Sequence, residues 1–158
     1  LFKLEIMKKL FFIAMSALFI GAGALTSCSK YAEGPSLALS SKTSRLAGTW
    51  VLSAKTLNGV NAVDAGYSET LIIEKDGSFK DTAKISYLGF NYTGPVAGTW
   101  SFSEDKMQVA FNSAGTNTTF TINGNNTWNI IKLAKDEIKF ERIGSNNSVT
   151  AMTYIPKN

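Results

Sequence analysis

Histidine is absent from this chain of 158 residues, and cysteine occurs only once. Without histidine, the chain lacks the side chain that most often serves as general base or metal ligand near neutral pH. Serine–histidine and cysteine–histidine nucleophile systems are therefore excluded. A single cysteine also excludes an internal disulfide. We expect no enzymatic activity, no metal site and no cofactor.

A block of basic residues is also missing, although the formal net charge is +4. Lys3, Lys8 and Lys9 contribute to this charge and lie within the first 27 residues, so the rest of the chain is nearer to neutral. Nucleic-acid-binding surfaces need clustered Lys and Arg. We therefore expect no nucleic-acid partner.

One long apolar run is present, and it lies near the start of the sequence. Lys8 and Lys9 precede residues 10–25, LFFIAMSALFIGAGAL, which are almost wholly apolar. This order of charge and apolar run predicts a helical signal peptide over residues 1–27. The run is too short for a typical membrane span. We expect residues 1–6 to precede the true start at Met7.

The end of this leader, Leu25-Thr26-Ser27-Cys28, resembles the lipobox of bacterial lipoproteins. The resemblance implies cleavage before Cys28, a lipid such as palmitate on that cysteine, and a membrane as the partner of the lipid. The alternative is a buried free cysteine near a transmembrane helix. Ser29 is not the aspartate that retains some lipoproteins in the inner membrane, which implies an outer-membrane lipoprotein. The periplasmic face and the cell surface stay open, and the single early acidic residue, Glu33, favours the former.

The rest of the chain has the pattern of a small all-β domain. Residues 28–44 are rich in Ser and Ala, which predicts a lipidated N-terminus and flexible tether, with a folded domain over residues 45–158. Short apolar and polar alternations then recur between turn signals such as Asp76-Gly77, and helical periodicity is missing. We expect about eight antiparallel strands in an up-and-down barrel or a sandwich.

A repeated motif supports the barrel. Ala47-Gly48-Thr49-Trp50 recurs as Ala97-Gly98-Thr99-Trp100, and Thr127-Trp128 is a weaker copy. With the segment Leu71-Ile72-Ile73 and the pair Ile138 and Phe140, these motifs resemble the lipocalin-like lipoproteins of Gram-negative gut-type bacteria. The resemblance implies an antiparallel up-and-down β-barrel, and an Arg142 side chain that stacks on Trp50; the alternative for Arg142 is a surface arginine on the last strands.

Two groups of aromatic residues are candidates for ligand contact, and each has a structural alternative. The first group could line an apolar cavity or pack the core: Trp50, Trp100, Phe102 and Trp128. The second could form an exposed loop at a barrel mouth or a packed strand edge and turn: Tyr87, Phe90 and Tyr92. Separately, Asp81-Thr82-Ala83 matches a bacterial O-glycosylation motif, which predicts a glycan on Thr82.

Two functions fit these features. The first is a membrane-anchored lipoprotein of the cell envelope whose lipocalin-like barrel binds a small hydrophobic or amphipathic ligand. The alternative is an envelope scaffold, inhibitor or surface interaction protein with a filled core. The carboxylate pairs Asp64/Glu69 and Glu74/Asp76 are expected near turns, where charge usually solvates a loop.

Overall fold

A computed structural model of the chain describes residues 31–34, 39–113 and 125–158. The predicted signal peptide and Cys28 lie outside these ranges. No helix in the described ranges is long and apolar enough to cross a membrane. The described elements are α1 (Lys42–Leu46), β1 (Gly48–Leu57), β2 (Val60–Asn61), β3 (Tyr67–Ile73), β4 (Ser78–Tyr87), β5 (Phe90–Phe102), β6 (Gln108–Ser113), β7 (Asn125–Leu133), β8 (Ile138–Ile143) and β9 (Val149–Pro156).

The strands form one closed antiparallel barrel. From β3 to β9, each strand pairs with the next one in the chain, and β1 pairs with both β3 and β9. The two-residue β2 pairs only with the end of β1, so eight of the nine described strands build the wall. Each of these eight strands therefore pairs with a neighbour on both sides over part of its length. The predicted up-and-down barrel of about eight strands is confirmed.

Tight turns join the strands where the sequence carries turn residues. Gly77, in the predicted Asp-Gly hairpin, has φ of 91°, and Asn147, in the turn before β9, has φ of 61°. The β4–β5 turn has two successive left-handed residues, Leu88 with φ of 48° and Gly89 with φ of 80°. Positive φ at both central residues is the signature of the two-residue turn that matches the twist of a β-hairpin.

One end of the barrel is closed by α1. The Ser41 hydroxyl accepts a hydrogen bond from the Ser44 N–H at 3.1 Å and so caps the helix start. The helix places Arg45 and Leu46 against the barrel, and both are buried. The Arg45 guanidinium donates to the Leu133 carbonyl at 2.8 Å. The Trp50 indole N–H donates to the Leu46 carbonyl at 2.9 Å. These contacts close the end from which β1 begins.

Part of the predicted tether belongs to the folded domain. Tyr31 is only 5% exposed, and its hydroxyl donates to the Lys106 carbonyl at 2.7 Å. Burial raises the pKa of Tyr31 to about 12. Glu33 pairs with Lys139 at 2.8 Å. The packed domain therefore includes residues before the predicted start at 45, because an aromatic side chain three positions after Cys28 fills a place in the core.

The half of the barrel nearest α1 is filled by apolar side chains. Phe79, Phe111 and Phe140 form edge-to-face pairs with ring centroids 5.1 and 6.0 Å apart. Such pairs contribute roughly 0.5–1.5 kcal/mol each beyond their buried area. The apolar residues that are under 2% exposed are Leu46, Leu71, Ile73, Ala83, Val109, Phe111, Trp128, Leu133, Ile138, Phe140, Met152 and Tyr154. For part of the interior, this packing agrees with the alternative that aromatic side chains pack the core rather than line a cavity.

A β-bulge in β1 changes one sequence-based assignment. The sequence alternation places Leu52 and Ala54 on one face and Lys55 on the other. The pairing of β1 with β9 shifts between Leu52 and Ala54, so Lys55 lies opposite the buried Met152. Directly opposed residues of an antiparallel pair share a face. Lys55 therefore faces the barrel interior, because the bulge inserts one residue and reverses the alternation after it.

Candidate ligand-binding site

The end of the barrel opposite α1 carries an aromatic hairpin. Tyr87, Phe90 and Tyr92 flank the β4–β5 turn and are 69%, 81% and 51% exposed. Tyr87 pairs with Phe90, and Ile85 pairs with Tyr92, in the same register that pairs the buried Asp81 with Val96. These side chains therefore continue the inward-facing row of β4 and β5 toward the tip. The exposed alternative for this segment is the one that the structure shows.

A cleft opens beside this row. Its volume is about 220 Å³, and its lining residues are Lys55, Ala62, Asp64, Tyr67 and Ile85. Tyr67 belongs to both the cleft and the interior, since its hydroxyl donates a hydrogen bond to Glu69. The cleft thus reaches Tyr67, and the hydrogen bond from Tyr67 connects it to Glu69 inside the barrel. We refer to this end of the molecule, with the cleft and the aromatic hairpin, as the open end.

Two carboxyl groups and two phenols meet inside the barrel below the cleft. Glu69 is 2% exposed, and its two carboxylate oxygens each accept a hydrogen bond from a phenol, one from Tyr67 and one from Tyr154. Asp81 is fully buried on the neighbouring strand. Asp81 pairs with Leu71, two residues beyond Glu69, so the two carboxyl groups are diagonal neighbours on one face. We call Tyr67, Glu69, Asp81 and Tyr154 the acid cluster.

Asp81 has no hydrogen-bond partner for either carboxyl oxygen within the described part of the chain. Burial, and to a smaller extent the nearby charge of Glu69, raises the pKa of Asp81 to about 9. The backbone N–H of Thr82 lowers this pKa by a smaller amount, although it is not a hydrogen-bond partner of either oxygen. Asp81 is therefore protonated at neutral pH, which is the form that burial without a partner favours.

The phenol of Tyr154 responds to the same surroundings. Burial raises the pKa of Tyr154 well above its ordinary value, and the charges of Glu69 and Asp81 raise it further. Its hydroxyl stays protonated and can continue to donate to Glu69. The cluster therefore combines one carboxylate that is satisfied by two phenols with a second carboxyl group that the protein leaves unsatisfied. Buried polar groups usually have partners, so the exception at Asp81 needs an explanation.

Two of the tryptophans predicted to line a cavity lie at the closed end instead. Trp50 is 3% exposed and is held by the Leu46 carbonyl. Trp100 is 8% exposed, and its indole N–H donates to the Glu74 carbonyl at 2.8 Å. Phe102 packs edge-to-face against Trp100 at 5.3 Å. The structure places these three residues in the packing of the hairpins at the closed end, far along the strands from the aromatic hairpin.

Trp128 differs from the other tryptophans. It is fully buried in the interior, and its indole N–H has no hydrogen-bond partner among the described residues. The Arg142 guanidinium lies 4.7 Å from the centre of its ring and donates to Asn126. The sequence predicted Trp50 as the partner of Arg142, and that partner is wrong. Neighbouring strands β7 and β8 bring Arg142 to Trp128, whereas Trp50 lies at the closed end.

The predicted glycosylation motif lies inside the sheet. Thr82 is half-buried in the middle of β4, between Thr70 of β3 and Pro95 of β5. Its neighbours Asp81 and Ala83 are buried in the barrel. The folded domain thus hides the aspartate of the motif, while Thr82 itself is partly exposed. The modification stays a prediction.

Sequence reasoning missed the acid cluster. The sequence predicts Glu69 near a turn. In the structure Glu69 lies within β3, on the same buried face as Leu71 and Ile73. Asp81 stands out in the sequence only as part of a glycosylation motif, although it alternates with the buried Phe79 and Ala83. Carboxylates at inward positions of two neighbouring strands were the signal that could have found the cluster.

No family model and no curated protein matches the sequence. Solved structures are similar in fold. An odorant-binding protein from bovine nasal mucosa is 11% identical, with 77% of each chain covered and a TM-score of 0.46. The bovine odorant-binding protein complexed with undecanal is 12% identical, with 77% of this chain and 76% of that chain covered and a TM-score of 0.44. Similarity at this level does not assign the chain to a family.

Proposed function

We propose that this protein is a lipid-anchored envelope protein whose barrel binds a small amphipathic molecule at its open end. The observation that carries the proposal is the aromatic hairpin, which extends the inward-facing row of the barrel wall with exposed apolar side chains. Phe90 is 81% exposed and Tyr87 is 69% exposed. Large apolar side chains in one exposed group mark binding sites more often than scattered ones do. The hairpin supplies the apolar wall of the site.

The interior supports a ligand with a polar end. The apolar packing of the closed half excludes a ligand that fills the whole barrel, so the ligand must bind near the opening. There the cleft leads to Tyr67 and, through it, to Glu69. A molecule with an apolar tail along the hairpin and a polar group at the cleft would match both surfaces, as ligand sites usually combine an apolar wall with few polar groups.

The lipid anchor would orient this site. Tyr31 is three residues after Cys28, and it contacts the β5–β6 turn at the closed end through Lys106. Three residues span at most about 11 Å, so a lipid on Cys28 would hold the closed end beside the bilayer. The open end would then face away from the membrane, accessible to molecules in the periplasm or outside the cell.

A fluorescent probe tests the ligand site. N-phenyl-1-naphthylamine, an uncharged apolar fluorophore, should bind saturably with one site per chain, and octyl-chain compounds should displace it. Phe90→Ala and Tyr92→Ala should each weaken probe binding about tenfold, since each removes apolar area from the wall. Ile155→Ala is the matched control, because Ile155 is 41% exposed on the strand that ends at the closed end. Unsaturable binding, or equal loss in the control, would favour the filled-core interaction protein.

Fractionation tests the anchor. Cys28→Ala should release the protein from membranes or leave the leader uncleaved, because the thiol that would carry the lipid is gone. Normal processing and membrane association of Cys28→Ala would refute the anchor and leave the ligand site untouched.

A further inference from the structure

We infer that the acid cluster is a binding site for the ammonium group of an organic amine, with Asp81 and Glu69 as the groups that contact the ligand. The inference rests on the proposed function, because it specifies which polar group the amphipathic ligand carries. Its basis is that Asp81, fully buried and aimed into the barrel, has two oxygens without a partner in the described structure.

The geometry of the cluster selects a donor rather than an acceptor. Both oxygens of Glu69 already accept hydrogen bonds, one from Tyr67 and one from Tyr154. The two phenols of the cluster therefore donate to Glu69 rather than to a ligand. A ligand carboxylate or phosphate would place its negative charge against Glu69 and would hold Asp81 in its protonated form. An ammonium group has three donors and a positive charge. It could satisfy both oxygens of Asp81 and stay within reach of Glu69.

The charges around the cluster agree with a cation. Facing groups on β3 are Tyr67 and Glu69, and Tyr154 faces the cluster from β9. The packed face of β5 next to Asp81 carries Val96, which is uncharged. Among the described residues, the cations that face the interior from the barrel strands are Lys55 at the cleft and Arg142, which stacks on Trp128, and Arg45 is buried at the closed end.

The pKa of Asp81 is raised by burial and by Glu69, and the pKa of Tyr154 is raised by burial and by the charges of Glu69 and Asp81. Burial and the charge of Glu69 both disfavour the ionised form of Asp81, and the positive charge of a ligand would oppose these two effects. The binding of an ammonium group would then displace the proton from Asp81, since a positive charge beside that carboxyl group favours its ionised form.

An organic amine fits better than a metal ion. The described residues hold no group of three or more His, Cys, Asp or Glu side chains that could bind a metal. Calcium takes six to eight oxygen ligands and magnesium demands an octahedron. Two carboxyl groups and two phenols, next to an apolar wall that ends in Phe90 and Tyr92, instead suit a charged head with a hydrocarbon tail.

Calorimetry with three compounds of equal chain length separates the possibilities. The purified protein is titrated with octylamine, octanol and octanoate at neutral pH, in two buffers of different ionisation enthalpy. Octylamine should bind at least tenfold more tightly than octanol and release about one proton per site, whereas octanol should release none. Between pH 6 and pH 8 the affinity for octylamine should rise by up to tenfold per pH unit, because each unit makes removal of the Asp81 proton tenfold easier.

Asp81→Asn should abolish the preference for octylamine over octanol and the proton release. Asp76→Asn, an exposed carboxyl group at the closed end, is the matched control and should keep the preference. Equal affinity for octylamine and octanol, or tighter binding of octanoate, would overturn the inference while the ligand site stands. If calcium binds and octylamine does not, the cluster is a metal site. Failure of all three octyl compounds and of the neutral probe would overturn the proposed function itself.

Discussion

The clearest test of the interior is the dependence of stability on pH in Asp81→Asn. Asp81 has a pKa raised to about 9 in the folded barrel, against an ordinary value of 3.8. A raised folded pKa means that the folded state holds a proton that the unfolded state has lost. The contribution to stability is therefore complete below about pH 4 and is lost progressively as pH rises toward 9.

The size of this effect follows from linkage. One proton held only by the folded state changes the free energy of unfolding by about 1.4 kcal/mol per pH unit. Between pH 5 and pH 8, Asp81 should therefore reduce the stability of the wild-type protein by about 4 kcal/mol. Asparagine keeps the shape of the protonated side chain and cannot ionise, so this loss disappears in Asp81→Asn.

Equilibrium unfolding in urea, followed by the fluorescence of the buried tryptophans, measures the difference. The free energy of unfolding of Asp81→Asn minus that of the wild type should increase by about 4 kcal/mol from pH 5 to pH 8. Asp76→Asn is the control, because hydrogen bonds from Ser78 lower the pKa of this exposed carboxyl group. Its contribution has the opposite sign and is lost as pH falls. A difference between Asp81→Asn and wild type that is constant over this range would refute the protonated, desolvated state of Asp81.

Two further substitutions test the packing that positions the site. Tyr31→Ala should destabilise the protein by about 3 kcal/mol, because it empties a core position near Lys106, and chemical denaturation measures this. A loss of stability below about 0.5 kcal/mol would instead support the prediction that residues 28–44 are a flexible tether. Gly98→Ala should cost more than about 3 kcal/mol or prevent folding, since its Cβ would lie 2.0 Å from the Asn112 carbonyl oxygen. Full stability of Gly98→Ala by the same assay would contradict the register of β5 and β6.

The fold was predictable because its signals are local and repeated. Apolar alternation and turn residues such as Asp76-Gly77 specify hairpins within a few residues, and successive hairpins specify a meander. Barrel closure needs the pairing of Val51 with Ile155, more than a hundred residues apart, and only the lipocalin-like resemblance implied it. The bulge after Leu52 was not predictable from the sequence. An inserted residue leaves the alternation before it unchanged and reverses only which face of the sheet the later residues occupy.

The candidate site was predictable only in part. The exposed aromatic hairpin was one of two alternatives that the sequence left open, since Tyr87, Phe90 and Tyr92 are as compatible with a packed edge as with a rim. The acid cluster was missed because the charge of Glu69 and Asp81 suggests exposure, whereas their position in the strand alternation indicates burial. Trp50 and Trp100 were candidates for a ligand lining, but a tryptophan at a strand start packs against the closing helix or turn just as readily.

A crystal structure of the protein with octylamine would test most directly the claim that the open end binds an amphipathic amine. We expect the nitrogen of the ligand about 3 Å from oxygens of Asp81 and Glu69, with the alkyl chain along Ile85 and Tyr92 toward the hairpin tip. Octylamine with its nitrogen in solvent, or bound away from the cleft with both Asp81 oxygens still unpartnered, would contradict this claim.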